Sequence, residues 1–270
     1  MKRRNLVISC LGVFCVFLMF GIISSNSRMD ETITTSGAAN LSNRKVHWGM
    51  RRGVDHAQPD FGSENRNLLE AGGGIAVGNA EKAYVYLTFD NGHEEGYTTK
   101  ILDVLKEHEV PAAFFITGHY LNSAQDLVRR MFDEGHIVAN HTVNHPSMPD
   151  ANDERLRNEI TNLHSSVYEI FQYEMRFLRP PRGEFSERTL AMTRNLGYTT
   201  VMWSLAYDDW DRNNQGRHEH GKKKILDNLH NGAIILLHAT SRDNSEILDY
   251  LIREIRERGF EFRSLDEFEA

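Results

Sequence analysis

Tyr84-Val85-Tyr86-Leu87-Thr88-Phe89-Asp90-Asn91-Gly92 is the stretch that decides how the chain folds. Its β-branched and aromatic residues read as a buried strand. That strand empties into a carboxylate ahead of a turn-forming Asn-Gly pair. The same grammar repeats downstream. Apolar runs at Ala113–Thr117, Ile137–Ala139, Phe177–Leu178, Tyr198–Ser204, Ala233–Leu237 and Phe260–Phe262 alternate with helical stretches. The helical stretches are Thr98–His108, Ala124–Glu134, Asp153–Gln172, Ser186–Leu196, Lys222–Leu229 and Ser245–Arg258. In the longest, Leu156, Ile160, Leu163, Val167 and Ile170 recur at one helical face, and His164 reads as a surface or boundary residue.

Short strands separated by helices are the pattern of βα units. Seven of them favour an α/β (β/α) barrel, distorted or incomplete at seven to eight units, over a doubly wound sheet. The placement of reactive residues decides between the two. Asp90, His141, Arg179, Asp209 and His238 each follow a different apolar run, and barrel enzymes assemble their sites at the C-terminal ends of strands.

The 270 residues carry 31 Lys+Arg against 38 Asp+Glu, a net charge of −7. Lys2, Arg3, Arg4 and Arg28 are the only charges in the first 28 residues, so the remainder carries 27 against 38. An acidic body argues against nucleic acid as a partner, because phosphate binding needs a basic face. Both cysteines, Cys10 and Cys15, sit near the N-terminus. A disulfide, a thiolate zinc site and a cysteine nucleophile are thereby excluded from the body. Lys2-Arg3-Arg4 followed by the uncharged run Leu6–Ile23 and a small polar stretch describes an export signal. The run is also long enough to span a bilayer. Residues 1–27 are therefore expected to be a cleaved signal peptide or a retained membrane anchor, residues 28–80 a linker or irregular arm, and residues 81–270 the catalytic domain.

His141-Thr142-Val143-Asn144-His145 places two imidazoles four apart, a spacing that on one helical turn would let them share a cation. With Asp90 or Asn91 brought alongside, imidazole and oxygen donors without thiolate suit one divalent cation such as zinc, cobalt, nickel, manganese or iron. Arg179-Pro180-Pro181-Arg182-Gly183 is a stiff segment that aims a guanidinium inward. His238, with Asp209 near it, can titrate around neutrality. A cation to polarise a carbonyl, a carboxylate to take a proton from water and a protonated His to release an amine are what amide hydrolysis requires.

These segments, in this order, resemble the polysaccharide deacetylases of the NodB-homology family (carbohydrate esterase family 4) over about residues 82–267. Within it the chain is similar to the delta-lactam-biosynthetic de-N-acetylases of spore cortex peptidoglycan. That narrower likeness rests on Thr88-Phe89-Asp90-Asn91-Gly92, Arg179-Pro180-Pro181-Arg182-Gly183, Asp209-Trp210 with Asn213-Asn214-Gln215, Ser241-Arg242-Asp243-Asn244, and His47-Trp48-Gly49 in the arm. The resemblance implies Asp90 as catalytic base, His238 as general acid, Arg179 orienting the base and Asp209 tuning the acid. It implies His141 and His145 as metal ligands, with Asn91 where most members carry an Asp. Trp210 becomes an aromatic wall, Leu236 a liner of the acetyl pocket, and the main-chain N–H of Arg182 an oxyanion donor. The Arg182 guanidinium stands where many members have an aromatic residue, and it is expected to bind the lactyl carboxylate of N-acetylmuramic acid. The expected activity is exported, metal-assisted removal of the N-acetyl group of muramic acid in peptidoglycan glycan strands. The alternatives are an N-acetylglucosamine deacetylase and an inactive wall-binding module.

Overall fold

A strand covered on both faces reads as a continuous apolar run, and the one from Tyr84 to Asn91 is buried at every position but its first. The computed structural model describes residues 41–270. The apolar run Leu6–Ile23 and both cysteines lie outside the described residues. Among the described residues, no helix is long and apolar enough to cross a membrane.

The first elements are β1 (Val46–His47) and α1 (Ser63–Ala71). The alternating body follows as β2 (Tyr84–Asn91), α2 (Thr98–Glu107), β3 (Ala112–Ile116), α3 (Gly118–Ser123), α4 (Gln125–Asp133) and β4 (Ile137–Asn140). It continues through α5 (Asp153–Phe171), β5 (Phe177–Leu178), β6 (Glu184–Phe185), α6 (Glu187–Asn195), β7 (Thr199–Thr200), β8 (Leu205–Ala206), α7 (His218–Leu226), β9 (Ala233–His238), α8 (Arg242–Glu257) and β10 (Glu261–Phe262).

Seven strands form one curled parallel sheet in the order β7-β5-β4-β3-β2-β9-β8, with β10 added at the start of β2. This is the incomplete barrel that the alternation predicts. Tyr198–Ser204, expected as one strand, is not a single strand. Ile75 makes the hydrogen bonds on either side of Val201, its N–H donating to Thr200 O and its O accepting from Met202 N–H, whereas Ser204 N–H turns to Ile234 O in β9. One apolar run therefore serves two ladders at the two edges of the sheet, and the chain crosses between them without a helix.

Period-two alternation sorts the side chains. Val85, Leu87 and Phe89 of β2 and Ala233, Ile235 and Leu237 of β9 join the core beneath the helices. Tyr86 and Ile234, of opposite parity, pack in the lumen with Ala113, Phe115, Ala139 and Phe177. α5 buries Leu156, Ile160, Leu163 and Val167, while Ile170, one turn further on, is exposed at the helix end. Each such buried aliphatic side chain contributes about 1.5–3 kcal/mol. Asn152 caps the first turn through Arg155 N, and Gln172 ends the helix in the left-handed region.

Residues 41–80 lie against the body. β1 pairs antiparallel with β6, Trp48 stacks on Phe61 at 4.7 Å, and its Nε1 donates to Trp203 O at 2.9 Å. Val46, Trp48, Phe61 and Leu69 form a small core with Phe185, Leu190 and Met202.

Candidate active site

The parity that buries Tyr86 in the lumen also turns Thr88 and Asp90 inward. Ile234 fixes Leu236 and His238 the same way. Phe177 predicts an inward Arg179, and Ala139 an inward His141. Register then levels them, since Asp90 pairs with His238 across β2 and β9. The base and the acid expected from the sequence thus stand side by side on neighbouring strands.

Arg179 is fully buried. It donates to Asp90 Oδ1 at 2.7 Å, to Thr88 Oγ1 at 3.0 Å and to Val201 O at 3.1 Å. Its guanidinium lies 4.1 Å from the centre of the Phe115 ring. Burial pushes the Asp90 carboxyl up, but the charge and hydrogen bond of Arg179, with the charge of His238, outweigh it and hold the group below its ordinary value. His238 Nδ1 donates to Asp209 Oδ1 at 2.8 Å. Burial draws the imidazole down, and the Asp209 charge and hydrogen bond more than restore it, so its pKa lies above the usual histidine value. An ionised base beside a protonated acid is the pairing that hydrolysis near neutrality requires.

The two-histidine segment departs from the expected helical turn. It is an irregular loop in which Thr142 and His145 have φ of 66° and 55°. Glu159 of α5 holds the loop, accepting Asn144 N at 2.8 Å and Asn144 Nδ2 at 2.9 Å. Its backbone carbonyl accepts Val143 N. The rings nevertheless meet, with centroids 4.8 Å apart. His141 Nδ1 donates to Arg179 O at 2.8 Å, which leaves Nε2 as a lone pair 3.5 Å from Asp90 Oδ2. Burial lowers the pKa of His141, and that of His145 to about 4, so both rings are neutral donors at neutral pH. Asn91 is wholly buried, with neither Oδ1 nor Nδ2 hydrogen-bonded. Two neutral imidazoles and an unpaired amide oxygen fit a divalent cation.

A second set of donors could also hold a cation. His218, Asp243 and Glu246 place their donor atoms within 4.8 Å of one another. In the structure His218 Nε2 pairs with Glu246 Oε2 at 2.6 Å, and Asp243 accepts the N–H groups of Gly216 and Arg217.

Asp90, His141, His145, Arg182, Trp210, Leu236 and His238 line one cleft of about 1020 Å³. Arg179 and Asp209 lie beneath it, bonded to Asp90 and to His238, and Asn91 is likewise buried. Arg182 is exposed at the lip, with φ of 61° ahead of Gly183 at 65°. A Cβ on Gly183 would come within 2.9 Å of Trp203 and 3.1 Å of Trp48, so the arm and the Pro-Pro turn are packed as one piece. Trp210 is 64% exposed at the rim. The walls include His93, His119, Asn122, Trp203 and Tyr207, none of which the sequence pattern singles out. Tyr207 carried a usable signal, as an aromatic hydroxyl two positions ahead of Asp209. His119 and Asn122 carried none, because only the short helix α3 brings them round.

A family profile described as polysaccharide deacetylase matches residues 77–201. Peptidoglycan-N-acetylmuramic acid deacetylase PdaA of Bacillus subtilis (strain 168) is 42% identical over 228 residues, spanning 84% of this chain and 87% of that protein. The chain belongs to the polysaccharide deacetylase family. The solved structure of Bacillus subtilis PdaA, described as a family 4 carbohydrate esterase, matches this deacetylase with a TM-score of 0.82, covering 84% of this chain and 98% of that one. A family 4 carbohydrate esterase from Bacillus anthracis matches with a TM-score of 0.72 and 44% identity, covering 84% and 97%. The family and the curled barrel expected from the sequence both hold.

Proposed function

We propose that this deacetylase removes the N-acetyl group from N-acetylmuramic acid residues of peptidoglycan, outside the cytoplasmic membrane, and so prepares that sugar for closure into the muramic delta-lactam of spore cortex. The observation that carries the reading is the facing of Asp90 and His238 at one level of adjacent strands, each with its own buried charge partner. Similarity to a muramic acid deacetylase supports the choice of sugar. So does a cation at the cleft lip, since the lactyl ether of muramic acid ends in a carboxylate that a guanidinium can grip bidentately.

In this reading Asp90, held ionised by Arg179, accepts a proton from the attacking water. The water oxygen bonds to the acetyl carbon, and the main-chain N–H of Arg182 stabilises the charge that develops on the carbonyl oxygen. The C–N bond then breaks as His238 passes its Nε2 proton to the departing nitrogen, which leaves acetate and a free amine. Leu236 lines the space for the acetyl methyl, and Trp210 offers a face for the sugar ring. Asn91, His141 and His145 would hold a divalent cation, zinc, cobalt, manganese or similar, which when bound polarises the carbonyl. An N-terminal signal or anchor spanning residues 1–27 would take the enzyme to the wall.

Mass spectrometry of cortex-type glycan strands incubated with the protein tests the reading. Loss of acetyl from muramic acid stripped of its peptide is expected. Loss from N-acetylglucosamine alone would refute the choice of sugar, and a further loss of water from muramic acid would add ring closure to the activity.

A further inference from the structure

Asp209 is buried and receives three hydrogen bonds. Its Oδ1 takes Nδ1–H of His238, while its Oδ2 takes the main-chain N–H of His238 at 2.7 Å and Nδ2 of Asn244 at 2.5 Å. The same Asn244 amide sends a bond to the carbonyl oxygen of His238 at 3.0 Å. Its oxygen accepts the Tyr207 hydroxyl at 2.5 Å. Carboxylates and carbonyls only accept, so the NH₂ must face Asp209 and His238 O, and the amide oxygen must face the phenol. One side chain therefore grips the carboxylate and the backbone of the residue that the carboxylate orients.

The grip is itself built in. Asn244 is wholly buried in the first turn of α8. Its N–H is capped by Ser241 Oγ at 3.2 Å, and that hydroxyl donates to Gln215 Oε1 at 3.1 Å. Gln215 Nε2 in turn donates to Asp209 O at 3.3 Å and Asp211 O at 2.9 Å, tying the loop that carries Asp209 to the start of α8.

We propose that Asn244 is a positioning residue for proton donation: it fixes the Asp209 carboxylate, and through it sets Nδ1–H of His238 inward and Nε2 toward the cleft. Other residue types fail there for separable reasons. A leucine would leave Asp209 Oδ2, His238 O and the Tyr207 hydroxyl short of a partner. An aspartate would set a second carboxylate against the first. The proposal rests on His238 being the acid of the deacetylation.

The test compares Asn244→Ala, Asn244→Asp (the isosteric change) and Tyr207→Phe in the full chain. Deacetylation kinetics are read alongside the NMR resonance of the His238 Nδ1 proton. The expected result is a kcat about 10–100-fold lower for both Asn244 variants, with KM within about twofold. The Nδ1 proton resonance should lose its downfield position. Tyr207→Phe, which frees the amide to turn, should give a smaller loss of the same kind. An unchanged kcat, or a resonance that stays in place, would overturn the proposal. Parent protein that deacetylates no glycan would instead refute the reading of the site, and the resonance would then decide the role of Asn244 by itself.

Discussion

Arg179 and Asp90 lie 89 positions apart in sequence and 2.7 Å apart in space, guanidinium to carboxylate, with no water-exposed surface on the arginine. A buried pair of this kind adds little net stability, yet removing one partner strands the other charge in the core and costs about 3–5 kcal/mol. Arg179→Ala should therefore lower the melting temperature by about 10 °C and abolish turnover, because Asp90 loses its counter-charge. Arg179→Lys keeps the charge without the planar fork that also reaches Thr88 and Val201. It should melt between the two and remain impaired. Thermal melts and kcat of both variants check this, and a fully active Arg179→Lys would show that charge alone suffices.

The pH profile of kcat/KM follows from Asp90 and His238 in their proposed roles of base and acid. Arg179 and His238 hold Asp90 below the ordinary carboxylate value despite burial, and Asp209 holds His238 above the ordinary histidine value. Activity needs the first ionised and the second protonated. The acid limb should thus fall below about pH 4 and the alkaline limb above about pH 6.5. Asp209→Asn should bring the alkaline limb down, since it removes the charge that supports the imidazolium. An alkaline limb that stays put in that variant would contradict the assignment of His238.

Much of this arrangement was legible because β2 and β9 are long enough for continuous burial to show, and because each reactive residue closes an apolar run. Legibility failed where elements shrink to two residues. At β7 and β8 the run from Tyr198 onward looks like one strand, and nothing local marks where its hydrogen bonds pass from Ile75 to Ile234. It failed again at His141–His145, whose backbone is shaped by Glu159, a residue 15 positions from Asn144 and on another element. Asn244 shows no role in the sequence, because its partners Tyr207 and Asp209 lie 37 and 35 residues away.

His136 predicts an acid-sensitive step in stability that is separate from the chemistry. Its ring is buried at the start of β4 with neither nitrogen hydrogen-bonded, edge-on to Phe114 at 5.4 Å. Burial pulls its pKa to about 4 in the fold, against 6.5 in the unfolded chain. The unfolded state therefore takes up a proton that the folded state refuses as pH drops from 6.5 toward 4. Stability should fall across that window and level off below it, by about 3 kcal/mol at most from this residue. Asp90 works lower down: its depressed pKa lends stability above the ordinary carboxylate value, and that is lost as pH falls through its folded value. Urea midpoints for wild type and His136→Phe at neutral pH and near pH 4 separate the two. The variant should lose less than the wild type, and equal losses would remove His136 as the cause.

Asn91 offers the sharpest test of the cation site, because it can be read without any turnover. Its amide oxygen is buried without a partner and is the neutral donor proposed to join His141 and His145, so a carboxylate there would bring a full charge to the cation. Asn91→Asp should therefore tighten divalent cation binding at least about tenfold, or about 1.4 kcal/mol, in calorimetric titrations with zinc or manganese. The same substitution buries an uncompensated charge when the cation is withheld. Under chelator the variant should melt below the wild type, and saturating cation should recover the loss, because a ligand that binds only the folded state stabilises it. Equal affinities in the two proteins, with no cation-dependent recovery, would place the cation away from Asn91 and direct the search to His218, Asp243 and Glu246.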